Sequence, residues 1–254
     1  MDNEIFGLKG QNVIITGGAT GLGFAMAKCL TSVGARVIIV GIESEEVLAA
    51  ACKNIGINSS YYQFDITKTD ETPALVDNII EKYGQIHILI NNAGNHCKKP
   101  IEEMKVEDFT NVLDVHIVAS FALTKALIPH MKEHQKGSVI FISSMTGFLG
   151  QPYVTGYSAA KSAVLGMVRT LATEVSAQGV RINAIAPGWI DTPMLHKALD
   201  GDLERKNKIL GRTPMKKFGK PEDIGWAAVY LCSDAASFVN GICLVVDGGA
   251  LIGF

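Results

Sequence analysis

The helical stretch "GYSAAKSAVLGMVRTLATEV" carries Tyr157 and Lys161 four residues apart, on the same side as Val164, Val168, Leu171 and Val175. A lysine on an inward helix face is costly unless its charge is paired or used. An ammonium beside a phenol favours the phenolate and would lower the tyrosine pKa from about 10 toward neutrality. Such a pair can donate and accept a proton, which suits the interconversion of an alcohol and a carbonyl. The plain alternative is a tyrosine at the core edge beside a lysine whose stem packs and whose head reaches water. Upstream, in "NVLDVHIVASFALTKAL" (111–127), Val112, Val115, Ala119, Ala122, Leu123, Ala126 and Leu127 recur at helical spacing, and His116 falls on their face. Taken alone, it is either a core histidine held by a hydrogen bond or part of a site.

Near the N-terminus an apolar strand runs into "TGGATGLG", Thr16 to Gly23, and then into helical "FAMAKCL". Gly17, Gly21 and Gly23 allow a tight turn and bring backbone N–H groups close to a pyrophosphate. The following helix N-terminus adds a favourable dipole. Strand, glycines and helix in this order point to a dinucleotide cradle in which Thr20 and Leu22 also take part. Some 20 residues on, where an acidic residue would grip a ribose 2′-hydroxyl, "VIIVGIESEE" offers Ile42 and Glu43. Glu43 reads equally as a solvated residue at a helix start. No Arg or Lys stands there or at Thr20 to neutralise a 2′-phosphate, which tilts the cofactor toward NAD, with NADP possible.

Short apolar runs alternate with longer helical patterns, the rhythm of a parallel sheet wrapped by helices. Strands are predicted at 12–16, 36–40, 60–64, 86–90, 138–143, 181–186 and 243–247. Helices are predicted near 21–33, 44–55, 69–83, 103–134 (broken), 156–178 and 221–232. Several strands are apolar almost throughout, as when both sheet faces are covered. With no internal boundary, 1–254 reads as a single α/β domain, a doubly wound parallel sheet of Rossmann type. The long irregular region 187–220, with a helix inside it, reads as a substrate lid near 188–220.

At 48% hydrophobic the chain can fill a large core, and its formal net charge of −2 exerts no broad pull on nucleic acid or anionic membranes. No stretch approaches the roughly 18 consecutive apolar residues of a membrane helix. The start "MDNEIFGLKG" lacks a basic and then apolar leader, and the five scattered cysteines (Cys29, Cys52, Cys97, Cys232, Cys243) suit reduced thiols rather than a disulfide frame or a metal site. A cytoplasmic protein is expected.

"TGGATGLG", "NNAG" (91–94), "ISS" (142–144), "YSAAK" (157–161) and "APGWIDTPM" (186–194) follow in the order of the short-chain dehydrogenase/reductase family, which the chain resembles over 8–250. The resemblance implies Ser144, Tyr157 and Lys161 as catalytic serine, tyrosine and lysine, with Ser143 the neighbour that the family spacing rejects. It implies that the serine hydroxyl holds the substrate oxygen, that Tyr157 passes the proton, and that Lys161 holds the nicotinamide ribose. Asp65 and Ile66 match the adenine contacts, Asn92, Ala93 and Gly94 the segment supporting the cofactor, and Pro187, Gly188, Ile190 and Thr192 the loop over the nicotinamide. His116 occupies a fourth catalytic seat, where the family usually has an asparagine acting through its backbone carbonyl and a water. Whether His116 takes part in proton transfer is open at this point.

The final third, from "RTPMKKFGK" to "VDGGALIGF", resembles the gluconate 5-dehydrogenase branch and implies a small sugar acid or polyol as substrate. A 3-oxoacyl-carrier-protein reductase and a non-catalytic dinucleotide-binding protein are the alternatives. Gln151, Trp189 and His96 are the candidate substrate contacts beside Ser144 and Tyr157. Lys98, Lys99, Lys197, Arg205 and Arg212 are cations near the presumed pocket, amid acidic Asp191, Asp200, Asp202 and Glu204, as on a mixed solvated surface. The resemblance also implies a homotetramer built through the two long helices and the last strand and helix.

Overall fold

The computed structural model describes residues 3–199 and 201–253. Seven strands form one parallel sheet: β1 (Asn12–Thr16), β2 (Arg36–Gly41), β3 (Ser59–Gln63), β4 (Ile88–Asn91), β5 (Gly137–Ile142), β6 (Val180–Pro187) and β7 (Cys243–Val246). Their order is β3-β2-β1-β4-β5-β6-β7. The doubly wound fold expected from the sequence is therefore present, and the chain reverses its winding direction between β1 and β4. In such sheets the crevice at the carboxyl ends beside that reversal is where ligands bind.

Alternate residues of each strand enter opposite layers, and both layers are buried. Val13, Ile15, Val37, Ile39, Ile88 and Ile90 pack with α1 (Gly21–Ser32), α2 (Glu45–Ile55) and, from the far end of the chain, α9 (Pro221–Cys232). Ile14, Ile38, Leu89, Val139 and Phe141 pack with α3 (Thr72–Tyr83), α5 (Ser120–Glu133) and α6 (Thr155–Val175). Two covered faces explain why these strands read as continuous apolar runs.

The helix predicted as broken near 103–134 is instead continuous: α4 (Val106–Leu113), a π-helical segment at Asp114–Ala119, then α5. This 28-residue span is long enough, and an 18-residue window in it of mean hydropathy 1.5 apolar enough, to cross a membrane by length and composition. Val112, His116, Ala119, Leu123, Leu127 and Met131 are buried along its inner side, as in a core helix against a sheet. The lid region holds two helices where one was expected, α7 (Pro193–Leu199) and α8 (Leu203–Arg212), with Asp200 between them outside the described residues. A parallel bridge from Ile190 to Gly219 ties the two ends of that region together.

The ends of β1 and β4 are stapled where the crevice opens. Thr16 Oγ1, fully buried, accepts from the backbone N–H of Asn92 and of Ala93, each at 3.0 Å. Asn92 Nδ2 donates back to the carbonyls of Thr16 (2.9 Å) and Gly17 (3.1 Å). Thr16→Val keeps the shape but leaves both N–H groups without that acceptor. It should cost about 1–3 kcal/mol of stability, measured by urea unfolding against the parent chain.

Candidate active site

The glycine loop runs from β1 to α1. Gly17 has φ +63°, a conformation that L side chains rarely adopt, and a Cβ on it would press on Ala93 and Asn92. Gly23 lies so close that a Cβ would sit 2.1 Å from the Gly17 carbonyl oxygen. The loop thus has no room for side chains at its turn and exposes backbone at the start of α1, with Thr20 and Gly21 at the surface and Leu22 half-buried. At the end of β2, Ile42 is 70% exposed, and the Glu43 Oε2 atom is buried with no hydrogen-bond partner among the described residues. An acceptor without a donor at this place suits a ribose hydroxyl, whereas an exposed isoleucine offers nothing to a phosphate. After β3, Asp65 is exposed with its carboxylate accepting from Thr67 N (2.9 Å) and Thr67 Oγ1 (2.7 Å), while Ile66 is buried beneath it. These Thr67 bonds hold the Asp65 pKa below its ordinary value.

On the far side of the crevice, β6 ends at Pro187, and a Cβ on Gly188 would come within 2.5 Å of Asp247. Ile190 is buried at the bridge to Gly219, and Thr192 Oγ1 accepts from Leu195 N at 3.3 Å at the entry to α7. The pieces expected to hold a dinucleotide thus follow the carboxyl ends of β1, β2, β3, β4 and β6, and the backbone and the orphaned carboxylate oxygen fit such a group.

Helix α6 brings Tyr157 and Lys161 to the floor of the crevice. Lys161 is buried (4% exposed), and its Nζ donates to the Ile142 carbonyl at 2.6 Å and lies 3.0 Å from His116 Nδ1. It also lies 5.3 Å from the centre of the Tyr157 ring. Burial lowers the Lys161 pKa to about 7. The expected lowering of the Tyr157 pKa is not found. Burial raises it, opposed by a hydrogen bond with Ser144.

The two serines after β5 have separate jobs. Ser143 Oγ donates to the Lys161 carbonyl at 2.9 Å and is used up holding α6. Ser144, the one selected by spacing, faces Tyr157 and caps a short turn by accepting from Thr146 N at 3.2 Å.

His116 is 6% exposed, and its ring edge meets Tyr157 at 5.4 Å between centroids. Its Nε2 lies 2.9 Å from the Asn95 carbonyl oxygen. Burial and the neighbouring Lys161 lower its pKa to about 3. The π-helical segment sets the backbone there: Ser120 Oγ donates to the His116 carbonyl (2.6 Å), Thr124 Oγ1 to Ser120 O (2.8 Å), and Asn91 Nδ2 to Thr124 Oγ1 (3.0 Å). Gly94 lies directly under the ring, since a Cβ on it would come 2.2 Å from the His116 Cε1 atom.

Of the substrate candidates, His96 is brought in: its ring lies 5.0 Å from that of Tyr157. Gln151 and Trp189 are half-buried on the two flanking loops. Among the cations, Lys99 is taken by Asp108 at 2.7 Å and Arg212 donates through Nε to the Ala250 carbonyl at 3.0 Å. Lys98 borders a cavity of about 220 Å3 with Pro100 and Tyr153, and has no ion-pair partner among the described residues. Sequence reasoning missed Asn95, Ile142, Ser120 and Tyr153. The first two act through backbone carbonyls, which no residue type announces. Tyr153 holds φ +71° while its carbonyl accepts from Lys99 N (2.9 Å), a strained position that only geometry reveals.

With this geometry in place, comparison gives the class: residues 17–250 match the family described as enoyl-(acyl carrier protein) reductase. The chain belongs to the short-chain dehydrogenase/reductase family, nicotinamide-dependent oxidoreductases that act at a CH–OH group. It is 38% identical over 252 residues to the 5-keto-D-gluconate 5-reductase of Escherichia coli, covering 98% of this chain and 99% of that one. It is 34% identical over 247 residues to a 3-oxoacyl-[acyl-carrier-protein] reductase of Thermotoga maritima, covering 96% and 99%. A solved gluconate 5-dehydrogenase from Burkholderia cenocepacia, in complex with NADP and tartrate, superposes with TM-score 0.93 at 29% identity over 99% of both chains.

Folded His116 and Lys161 both hold fewer protons than the unfolded chain, between about pH 3 and 6.5 for the first and from about 7 to the free lysine value near 10.4 for the second. Each contribution therefore makes stability rise with pH through its window. His116→Asn should flatten the rise between pH 4 and 6.5, read from urea midpoints across that range.

Proposed function

We propose that this chain is an NAD-dependent dehydrogenase/reductase acting at a secondary carbon of a sugar acid or polyol, in the manner of gluconate 5-dehydrogenase. The observation that carries the reading is the convergence of Ser144, Tyr157 and buried Lys161 at the crevice that the glycine loop opens. Gly17, Thr20, Gly21, Leu22 and Gly23 would hold the pyrophosphate, and Ile42 and Glu43 the adenine-side ribose. Asp65 and Ile66 would meet the adenine, Asn92 to Gly94 would support the middle of the cofactor, and Pro187, Gly188, Ile190 and Thr192 would close over the nicotinamide. When bound, the nicotinamide takes up or returns the hydride.

The chain's own residues manage the oxygen and its proton. Ser144 hydrogen-bonds the substrate oxygen. Tyr157 removes the hydroxyl proton in the oxidative direction and returns it in the reductive one. Lys161 holds the nicotinamide ribose and, when charged, makes the phenolate accessible. Gln151, Trp189 and His96 border the substrate. Lys98, without an ion-pair partner among the described residues, supplies the positive charge for a substrate carboxylate. The relative named for 5-keto-D-gluconate and the solved gluconate 5-dehydrogenase holding tartrate support a polar, carboxylate-bearing substrate.

Glu43 without a partner and Ile42 at the surface support NAD over NADP. The 3-oxoacyl-thioester reductase is the second reading, supported by the Thermotoga relative. It would call for NADPH and an apolar channel. Exposed Val118 and Phe121 on the long helix, with Trp226 and Ile242 near β7, support a homotetramer. Five free cysteines suit a reducing, cytoplasmic setting.

The test is turnover of gluconate and related sugar acids and polyols with each coenzyme, against an acetoacetyl thioester with NADPH. Turnover of a sugar acid or polyol with NAD is expected, and turnover of the thioester alone would transfer the assignment. Tyr157→Phe should lower kcat by about 10²–10⁴-fold with nucleotide affinity nearly unchanged. Lys98→Met should raise KM about tenfold for a sugar acid and leave a neutral polyol unaffected, corresponding to about 1.4 kcal/mol of lost pairing.

A further inference from the structure

The three N–H positions of the Lys161 ammonium differ in kind. One points at the Ile142 carbonyl, 2.6 Å away. A second is fixed by the tautomer of His116. The Asn95 carbonyl oxygen, 2.9 Å from Nε2, can only accept, so Nε2 carries the ring hydrogen. The neutral ring then presents Nδ1 as a bare acceptor, and Lys161 Nζ, 3.0 Å away, donates to it. The titratable groups facing this pair are Tyr157 from α6 and His96 from the loop after β4, and no carboxylate contributes to either pKa. The imidazole is much the weaker base of the two, so the ring stays neutral where the lysine titrates.

We propose that His116 is a positioning residue that, with the Ile142 carbonyl, ties down two N–H groups of Lys161, so that its single titrating proton occupies the third position and exchanges only on the side of Tyr157. The inference rests on the reading of Tyr157 and Lys161 as the proton-transfer pair. His116 does not pass the proton onward. Its far N–H ends on a peptide carbonyl, which is too weak a base to take a proton, and its own carbonyl is engaged by Ser120 Oγ at 2.6 Å. Gly94 belongs to the same device, because any side chain there would displace the ring from Lys161. An asparagine amide carries the same donor and acceptor on a shorter stem, which makes His116→Asn the conservative variant.

The first measurement is of the ring itself: ¹⁵N NMR of histidine-labelled protein, without cofactor, between pH 5 and 9. A neutral ring with hydrogen on Nε2 and a bare Nδ1 throughout is expected for His116. An imidazolium or an Nδ1–H tautomer at pH 7 overturns the proposal, whatever the enzyme turns over. The second is the pH profile of kcat/KM. His116→Leu should shift the pKa of its acid limb by at least about half a unit and lower kcat about tenfold, with the nucleotide Kd within about threefold. His116→Asn should restore the profile. An unchanged profile in His116→Leu overturns the proposal, and should that variant not fold, the ring tautomer decides it. Failure of the underlying reading of Tyr157 as the proton-transfer residue would appear instead as full activity in Tyr157→Phe.

Discussion

An ammonium group taken out of water must find acceptors, and the architecture around the crevice is arranged to supply them to Lys161. The carbonyl at the end of β5 and the ring of His116 are its two fixed partners. Each partner depends on a further element. Ser143 binds the backbone of Lys161 to the end of β5, and the π-helical segment delivers His116 at the depth of the lysine head. Asn95, in the loop after β4, completes the ring's hydrogen bonding. Two separate stretches of chain therefore meet at one nitrogen, with a third behind the ring, and the strands that deliver Asn95 and Ile142, β4 and β5, are neighbours in the sheet.

The same sheet order separates binding from chemistry. The glycine loop and the Glu43 position belong to β1 and β2, on one side of the reversal point, whereas Ser144 and the helix carrying Tyr157 follow β5 on the other. Asn92 ties the end of β4 to the end of β1 and the glycine loop through Thr16 and Gly17. Nucleotide choice and substrate choice can then vary on opposite sides of a shared frame. This is how one fold hosts relatives named for a keto-gluconate and for an acyl-carrier-protein substrate.

Much of this was legible in the sequence, for identifiable reasons. Glycines that cannot bear side chains, apolar strands covered on both faces, and a Tyr–Lys pair at helical spacing are all statements about residue type, and sequence is made of residue types. The choice of Ser144 over Ser143 needed the family spacing, and the structure assigns the rejected serine to holding α6. Carbonyl acceptors at Asn95 and Ile142 were illegible, because every residue carries a carbonyl. The helix expected to be broken near 103–134 is continuous through a π-helical segment, a local change of winding that residue types do not announce. The direction of the Tyr157 shift was misread because the sequence shows the neighbouring cation but not the burial that opposes it.

That misreading has a physical resolution. A buried phenol and a buried lysine each resist charging, yet each charge stabilises the other. With Lys161 near 7, the pair stands where a small change in local electrostatics moves a proton. A neutral, tautomerically fixed imidazole is a suitable neighbour for such a pair. It offers a lone pair without adding a charge, and its own ionisation, near 3, stays far from the working range. A histidine with an ordinary pKa would introduce a competing cation beside Lys161. Burial against Gly94 and Tyr157 removes that competition, so on the proposed reading a histidine can stand at this seat in place of asparagine.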